Sequence, residues 1–236
     1  MNIAKKRAIG NTPLLVTQLG MGGTGFGNLY KAVSEQDSND TIQAAYRAGI
    51  RYFDTAPLYG HGLSETRLGA GLAALPRGAL VISTKVGYAL DPQPAGAAAQ
   101  DVFENPLPFA TRFDYSQDGV LRSLEGSLRR LQTDHVEIAL IHDPDESVST
   151  KRGSDLFARS HFAEVMAGAY PALHELRAQG VIKAIGLGMN QWEMLADFAE
   201  AGEFDCFLLA GRYTLLEHAP ALAFMDLCER KKISIV

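Results

Sequence analysis

Four side chains in the sequence could together move a proton to or from a substrate oxygen. They occur in the segments FDTAPLYG, LVISTK and LIHD, and they are Asp54, Tyr59, Lys85 and His142. A lysine ammonium beside a phenol favours the phenolate, a carboxylate can hold the ammonium in place, and an imidazole can hydrogen-bond to the substrate oxygen. Each residue alone is more often structural than catalytic. The prediction of acid–base chemistry therefore depends on a fold that brings all four together.

The elements that would position these residues alternate between short apolar runs and longer amphipathic segments. The predicted strands are 15–20, 50–55, 80–84, 136–141, 181–187, 205–210 and 233–236. The predicted helices are 38–48, 64–74, 116–131, 161–179, 190–200 and 219–231. Nearly continuous apolar strands separated by helices indicate a parallel sheet that is covered on its faces.

A parallel sheet of this kind is either open and doubly wound or closed into a barrel. The segment MGGTGFGN loosely fits a dinucleotide fingerprint, but the next predicted helix begins only near residue 38. Asp54, at the end of the second strand, is followed by TAPLYG and another loop, so it is not in the position that a ribose contact requires. The chemically interesting residues Asp54, Lys85, His142 and Asn190 follow four different strands. Because these strand ends converge on one face of a (β/α)8 TIM barrel, where the active site lies, we expect the barrel.

The remaining segments complete the expected organisation. KRAIGNTPLLVTQLG predicts two short strands around a turn at Gly10-Asn11-Thr12. Segments 87–115 and 143–160 are predicted to be long irregular loops, which in a compact domain usually carry function. The sequence contains no internal repeat and no separate linker, so we expect one domain across residues 1–236.

Composition narrows the class of protein. The sequence is 47% hydrophobic and 21% charged, which excludes a disordered tail, a collagen-like fibre and a coiled coil. Its 22 basic and 27 acidic residues give a formal net charge of -5, so we expect no nucleic-acid partner. Two cysteines, no secretory signal and no run of about 20 apolar residues predict a cytoplasmic location without a membrane span. We expect no metal site, because the histidines lack ligand spacing.

The segments FDTAPLYG, SETRLGAGL, STK, LIHD and IKAIGLGMN resemble the corresponding motifs of the aldo-keto reductase superfamily. That resemblance implies a (β/α)8 barrel, NAD(P) bound in extended form without a Rossmann domain, and hydride transfer between nicotinamide and a carbonyl or alcohol carbon. By motif position, it implies that Tyr59 is the general acid–base residue. Asp54 and Lys85 would tune it, and His142 would orient the substrate.

The resemblance also implies a set of residues that hold the cofactor. Asn190 lies near the Ser-Asn pair of the common family pattern, although GLGMN is one residue longer than GVSN. Ala210 replaces the usual glutamine of the sixth strand, so Arg212 or Tyr213 become candidates to hold the nicotinamide. Tyr213 could equally be a rim aromatic that covers the barrel. A glycine-rich turn either lets the backbone approach the cofactor or only shapes the chain there; its residues are Gly23, Thr24 and Gly25.

Within the superfamily, LIHDPD, IGLGMNQWEM and FLLAGRYTLLEH resemble the sugar 1-dehydrogenase branch, whose members oxidise the anomeric carbon of an aldose such as L-fucose. Enzymes that act on pyridoxal or L-galactose, and general carbonyl reductases, are alternatives within the family. The superfamily also contains potassium-channel β-subunits that keep the barrel and the four residues. A cofactor-sensing regulatory protein without turnover is thus an alternative of another class, but no segment here resembles a docking segment.

The strand count predicts an incomplete barrel. Six strand–helix units are followed by a seventh strand that begins at Ile233, and eight strands require one more strand and two more helices. We expect the barrel to lack its C-terminal part in this sequence and a longer chain to exist. In the family, that part contacts the adenosine and the 2′-phosphate, so the sequence predicts neither NAD nor NADP in particular, and it predicts no oligomeric state.

Overall fold

The fold is known from a computed structural model that describes residues 3–94, 102–145, 160–216 and 218–236. Its eleven described strands follow one another along the chain as β1 (Lys6–Ala8), β2 (Leu15–Thr17), β3 (Met21–Gly22), β4 (Tyr52–Asp54), β5 (Val81–Val86), β6 (Tyr88–Pro92), β7 (Phe109–Phe113), β8 (Ile138–His142), β9 (Ala184–Met189), β10 (Cys206–Leu209) and β11 (Ser234–Ile235). The α-helices are α1 (Glu35–Arg47), α2 (Leu63–Leu72), α3 (Gln117–Leu131), α4 (Phe162–Glu164), α5 (Tyr170–Ala178), α6 (Trp192–Ala201) and α7 (Leu222–Lys231).

Seven of these strands form one parallel sheet, in the order β3-β4-β5-β8-β9-β10-β11. Each strand lies beside the one that follows it in the alternating series, which is the strand order of a (β/α) barrel. The predicted fold class is confirmed. In the part of the chain that the structure describes, β3 and β11 are the two edges of this sheet.

The two faces of the sheet pack against different partners. Side chains such as Phe53, Ile141 and Phe207 face the helices and belong to the larger apolar core. Their neighbours along the strands point the other way and form a second core with the amino-terminal segment; it contains Ile9, Leu14, Val16, Tyr52, Val81, Ile138, Leu140, Ala184 and Cys206. The sequence alternation thus separates a helix-facing layer from an interior.

The amino-terminal hairpin covers that interior. β1 and β2 pair antiparallel around the predicted turn, in which Gly10 has a φ of 54°. A Cβ at Gly10 would lie 2.5 Å from the Asp205 carbonyl oxygen, so only glycine fits this approach. The predicted strand 15–20 is divided, because Leu15–Thr17 belongs to the hairpin and the parallel sheet begins only at Met21–Gly22.

Helix α1 begins one turn earlier than the sequence indicates. The predicted helix 38–48 begins at Ser38, but Ser34 is the N-cap, and its hydroxyl accepts a hydrogen bond from the Asp37 backbone N–H over 3.0 Å. Such a cap satisfies one of the free donors of the first turn. The helix ends at Arg47, one residue before the predicted end, and Gly49 follows with a φ of 100°.

The prediction that segment 87–115 is an irregular loop is wrong for two stretches of it, β6 and β7. Strands β6 and β7 form an antiparallel hairpin in which Tyr88 pairs with Phe113, and their ring centroids lie 4.8 Å apart. Pro92 lies at the outer end of β6, where the missing N–H is tolerated. Residues 95–101 lie outside the described residues, as does most of the second predicted loop, 146–159.

Helix length and hydropathy bear on membrane insertion. Across the described ranges, every helix is too short or too polar to cross a bilayer.

Candidate active site

The parallel register brings three of the four predicted residues to one end of the sheet. Asp54 ends β4, Lys85 is the penultimate residue of β5, and His142 ends β8. Lys85 pairs in register with Leu140 and His142 with Gly188, so neighbouring strands finish at the same level. Because side chains two residues apart share a face, all three point into the interior at the carboxyl end.

Asp54 and Lys85 form a buried ion pair. The Lys85 Nζ donates to Asp54 Oδ2 over 2.7 Å and to the Thr55 carbonyl over 2.9 Å. The Lys85 side chain is only 1% exposed. Burial opposes its charge, but the Asp54 carboxylate, followed by Tyr59, raises the pKa of Lys85 above its usual range. The lysine is therefore an ammonium at any pH at which the protein is folded.

Tyr59 lies in the turn after β4 and faces this ammonium. The Lys85 Nζ lies 4.7 Å from the centroid of the Tyr59 ring. The turn is held tightly, since a Cβ at Gly27 would lie 2.5 Å from the Tyr59 carbonyl carbon. The ammonium and the phenol ring are thus direct neighbours in the site.

His142 completes the cluster. Its ring centroid lies 5.7 Å from that of Tyr59 and 5.3 Å from that of Tyr88, both in edge-on arrangements. Burial, and secondarily Lys85, lower the pKa of His142 well below its usual range, so the imidazole is neutral. Its buried Nδ1 has no hydrogen-bond partner within the described ranges. Because an unpaired buried N–H is rarer than an unpaired acceptor, we assign the ring proton to Nε2, where it can donate to a substrate oxygen.

Two further residues support Asp54, and sequence reasoning missed both. Ser83 Oγ donates to Asp54 Oδ1 over 2.6 Å, so both carboxylate oxygens are engaged. The Tyr52 hydroxyl lies 3.1 Å from Ser83 Oγ, and burial raises the pKa of Tyr52 well above its usual range. Strand alternation could have found them, since Tyr52 precedes Asp54 by two positions and Ser83 precedes Lys85 by two.

The glycine-rich turn lies directly beside the cluster. The Gly23 N–H donates to the Asp54 carbonyl over 2.7 Å, and the Gly23 carbonyl accepts from Ser64 Oγ over 2.7 Å. Thr24 begins a short 3-10 turn that ends at Gly27. A Cβ at Gly25 would meet no atom within 4 Å, which leaves open space next to the backbone. A flat ring could therefore approach the chain closely here.

The other candidate cofactor residues follow β9 and β10. Asn190 Nδ2 donates to the Ala210 carbonyl over 2.8 Å, and its Oδ1 accepts no hydrogen bond from the described residues. A carboxamide needs such an acceptor, so Asn190 and the open turn at Gly25 fit the nicotinamide end of NAD(P). Arg212 is half-buried, whereas Tyr213 is 48% exposed with its ring 6.4 Å from that of His218. The roles of all these residues toward a cofactor stay predictions.

The cluster thus combines a phenol that can exchange a proton, a fixed ammonium, and a neutral imidazole donor. Such a set can ionise or protonate an oxygen, and it oxidises or reduces a carbon only with a hydride carrier. Within the described residues, no group of three or more potential ligands is arranged to hold a metal ion.

Comparison with known proteins agrees with this geometry. The model of the "Aldo/keto reductase family" matches residues 18–236. Pyridoxal 4-dehydrogenase from Microbacterium luteolum is 38% identical over 245 residues, which cover 100% of this chain and 70% of the relative. D-threo-aldose 1-dehydrogenase from Pseudomonas sp is 37% identical over 227 residues, which cover 94% of this chain and 65% of the relative.

A solved structure supports the same assignment. The putative aldo-keto reductase from Pseudomonas aeruginosa superposes with a TM-score of 0.71 at 29% identity, over 99% of this chain and 76% of that one. The chain therefore spans roughly two thirds to three quarters of the length of the proteins that it matches. With a family model that matches most of its length and relatives above 30% identity, the chain belongs to the aldo/keto reductase family of oxidoreductases.

Proposed function

We propose that the protein is an NAD(P)-dependent dehydrogenase that oxidises the anomeric carbon of an aldose to the corresponding lactone. The observation that carries the proposal is the buried pair of Asp54 and Lys85, 2.7 Å apart, with the ring of Tyr59 4.7 Å from the ammonium. A dehydrogenase needs a base next to the alcohol that it oxidises, and this pair keeps a cation beside the phenol. The D-threo-aldose 1-dehydrogenase relative supports the sugar as substrate.

In the proposed oxidation, each residue of the cluster would have a separate role. Tyr59, as phenolate, accepts the proton of the C1 hydroxyl while the C1 hydrogen leaves with its electron pair, so that a C=O bond replaces one C–H and one O–H bond. Lys85 stabilises the phenolate before the transfer, and its contact with Asp54 keeps it in place. His142 donates from Nε2 to the same substrate oxygen and orients it. NAD(P), when bound, supplies the acceptor for the hydride.

Residues of this chain would also bind the nicotinamide end of the cofactor. Asn190 would accept a hydrogen bond from the carboxamide, and the turn at Gly23, Thr24 and Gly25 would let the ring lie against the backbone. Arg212 and Tyr213, beyond β10, would also contact the nicotinamide. Two observations support these assignments: the open space at Gly25, and the Asn190 Oδ1, which accepts no hydrogen bond from the described residues.

Pyridoxal oxidation is a second candidate within the same chemistry. A pyridoxal 4-dehydrogenase is one of the relatives that match this chain along its length. In addition, the ring of Tyr88 lies 5.3 Å from that of His142 and 4.8 Å from that of Phe113, and an aromatic wall suits a flat heteroaromatic substrate. We place it second because the segments that resemble the sugar 1-dehydrogenase branch cover three separate parts of the chain.

A substrate panel tests the proposal. L-fucose, D-arabinose, L-galactose and pyridoxal are offered with NAD or NADP, and reduced nicotinamide is followed by its absorbance. Oxidation of one or more sugars is expected, and activity confined to pyridoxal would transfer the assignment to that substrate. Tight cofactor binding without turnover of any sugar or carbonyl compound would favour a regulatory protein instead.

We further propose a cytoplasmic location, which the two free buried cysteines Cys206 and Cys228 support.

A further inference from the structure

The residue directly after His142 interrupts the geometry of strand β8. Neighbouring side chains of an extended strand point to opposite faces of a sheet. Asp143 instead has a φ of 42°, in the left-handed region, and its N–H donates to the Gly188 carbonyl over 2.9 Å. In this conformation its carboxylate lies on the same side as the imidazole, with Oδ2 3.6 Å from His142 Nε2. The backbone is thus turned so that two consecutive polar side chains face one site.

The Asp143 carboxylate receives no hydrogen-bond donor from the described part of the chain. Its side chain is only 14% exposed, yet it accepts no hydrogen bond from the residues that the structure describes. Burial, and then the Asp145 carboxylate, raise the pKa of Asp143 to about 7, while Lys85 opposes this rise. Buried polar groups normally have partners, and left-handed backbone at residues other than glycine is concentrated at functional sites. The missing donor is therefore expected to come from a ligand.

The distance between the two side chains indicates which ligand group fits. At 3.6 Å, His142 Nε2 and Asp143 Oδ2 are too far apart for a hydrogen bond to each other. An oxygen that accepts a hydrogen bond from Nε2 would have the carboxylate as its next neighbour. In an aldose, hydroxyl groups on adjacent carbons lie at about hydrogen-bond distance from each other. The hydroxyl next to the reacting oxygen could therefore donate to Asp143.

We propose that Asp143 is a specificity-determining residue that accepts a hydrogen bond from a hydroxyl group on the carbon next to the reacting carbon. The assignment rests on the proposed function, because it takes the substrate oxygen to be bound by His142 and Tyr59. It narrows the substrate class to 2-hydroxy aldehydes and their cyclic forms. Simple aldehydes would leave the carboxylate buried and unpaired, and the site would reject them for that reason.

Two substitutions distinguish the effect of the Asp143 carboxylate from the effect of the left-handed backbone at this position. Asp143→Gly removes the acceptor, and glycine adopts a φ of 42° without strain. Asp143→Asn keeps the shape and one amide acceptor, and asparagine also tolerates this region. Asp226→Asn, at an exposed position of α7, is the matched control for the loss of one negative charge. Circular dichroism and thermal unfolding establish that each variant is folded.

The measurement is a ratio of kcat/KM values for two matched substrate pairs. D-arabinose and 2-deoxy-D-ribose, tested as oxidation substrates, differ only in the hydroxyl at C2; glycolaldehyde and acetaldehyde, tested in the reductive direction, differ in the same way. The unaltered protein is expected to prefer the hydroxylated member by roughly 10- to 100-fold, the value of a hydrogen bond to a charged group. Asp143→Gly should bring the ratio close to one, and Asp143→Asn should retain part of the preference.

The outcomes distinguish this proposal from the proposed function. An unchanged ratio in Asp143→Gly, an equal loss for both members of a pair, or no preference in the unaltered protein would overturn the role of Asp143. Oxidation of D-arabinose with an unchanged ratio would overturn that role while leaving the aldose assignment intact. If no sugar is oxidised but the preference for glycolaldehyde over acetaldehyde depends on Asp143, the aldose assignment is wrong and the role of Asp143 stands.

Discussion

Ser83 Oγ donates a hydrogen bond over 2.6 Å to Asp54 Oδ1, the carboxylate oxygen that Lys85 leaves free. The two residues pair in register on adjacent strands, with Asp54 opposite Ser83. The ion pair at the centre of the site is therefore also held by a side chain of the adjacent strand. Ser83 is a positioning residue for Asp54, and removing its hydroxyl leaves a buried carboxylate oxygen without a donor.

Replacing Ser83 with alanine is expected to cost stability and turnover together. The free energy of unfolding should fall by about 1.5–3 kcal/mol, the value of a hydrogen bond to a charged group. A matched control is Ser38→Ala, since Ser38 is equally buried but its hydroxyl has no hydrogen-bond partner among the described residues. Urea unfolding of both variants provides the comparison. Equal effects of the two substitutions would show that Ser83 contributes only by filling space.

Tyr59→Phe tests proton transfer at the phenol. The substitution removes one hydroxyl and leaves the ring beside Lys85 and His142, so cofactor affinity should change little. Turnover should fall by roughly 10²–10⁴-fold, the usual contribution of a positioned acid–base group. Steady-state rates and a cofactor titration measure the two effects. Tyr30→Phe, at a position that is 74% exposed, should leave both unchanged. Near-normal turnover in Tyr59→Phe would exclude Tyr59 as the proton-transfer residue.

Lys85→Met tests the ion pair. The substitution leaves the Asp54 carboxylate buried without its cation, and the breaking of a buried pair costs about 3–5 kcal/mol. Turnover should also fall, because the phenol loses the ammonium that lies 4.7 Å from its ring. The double variant Asp54→Asn with Lys85→Met should recover much of the stability but none of the activity. Recovery of turnover in the double variant would contradict the role of the ammonium.

The raised pKa of Asp143 predicts that the free energy of unfolding depends on pH. Its pKa in the folded protein is about 7, because of burial and then Asp145, against about 4 for an unfolded aspartate. Between these values the folded state binds more protons than the unfolded state, so Asp143 makes the free energy of unfolding decrease as pH rises from 4 to 7. His142, with its lowered pKa, acts in the opposite direction near neutral pH.

The contribution of Asp143 is isolated by substitution. Asp143→Asn should gain stability relative to the unaltered protein as pH rises through this window, with the difference complete above about pH 7. Chemical unfolding at pH 5 and pH 8 measures the difference, and Asp226→Asn serves as the exposed control. A difference between Asp143→Asn and the unaltered protein that stays constant across these pH values would mean that the carboxylate is ionised throughout.

Local sequence patterns predicted the parallel sheet and the position of the central residues. Apolar runs and amphipathic segments report burial on one or two faces, and this property is set within a few neighbouring residues. The end of such a run determines which side chain emerges at the carboxyl edge, and Asp54, Lys85 and His142 were found in this way. The family motifs then indicated Tyr59, whose turn no periodic pattern describes. The cofactor roles of Asn190, Arg212 and Tyr213 remain predictions from the same resemblance.

The tertiary structure alone decided the features that depend on distant partners. The hairpin of β6 and β7 forms because Tyr88 meets Phe113, 25 positions later, and interrupting prolines hide that pairing in the sequence. The support of Asp54 by Ser83 joins adjacent strands. The left-handed turn at Asp143, pinned by the Gly188 carbonyl, directs its carboxylate toward His142. Sequence periodicity assigns a side chain to a face, but only contacts between separate segments determine what that side chain meets.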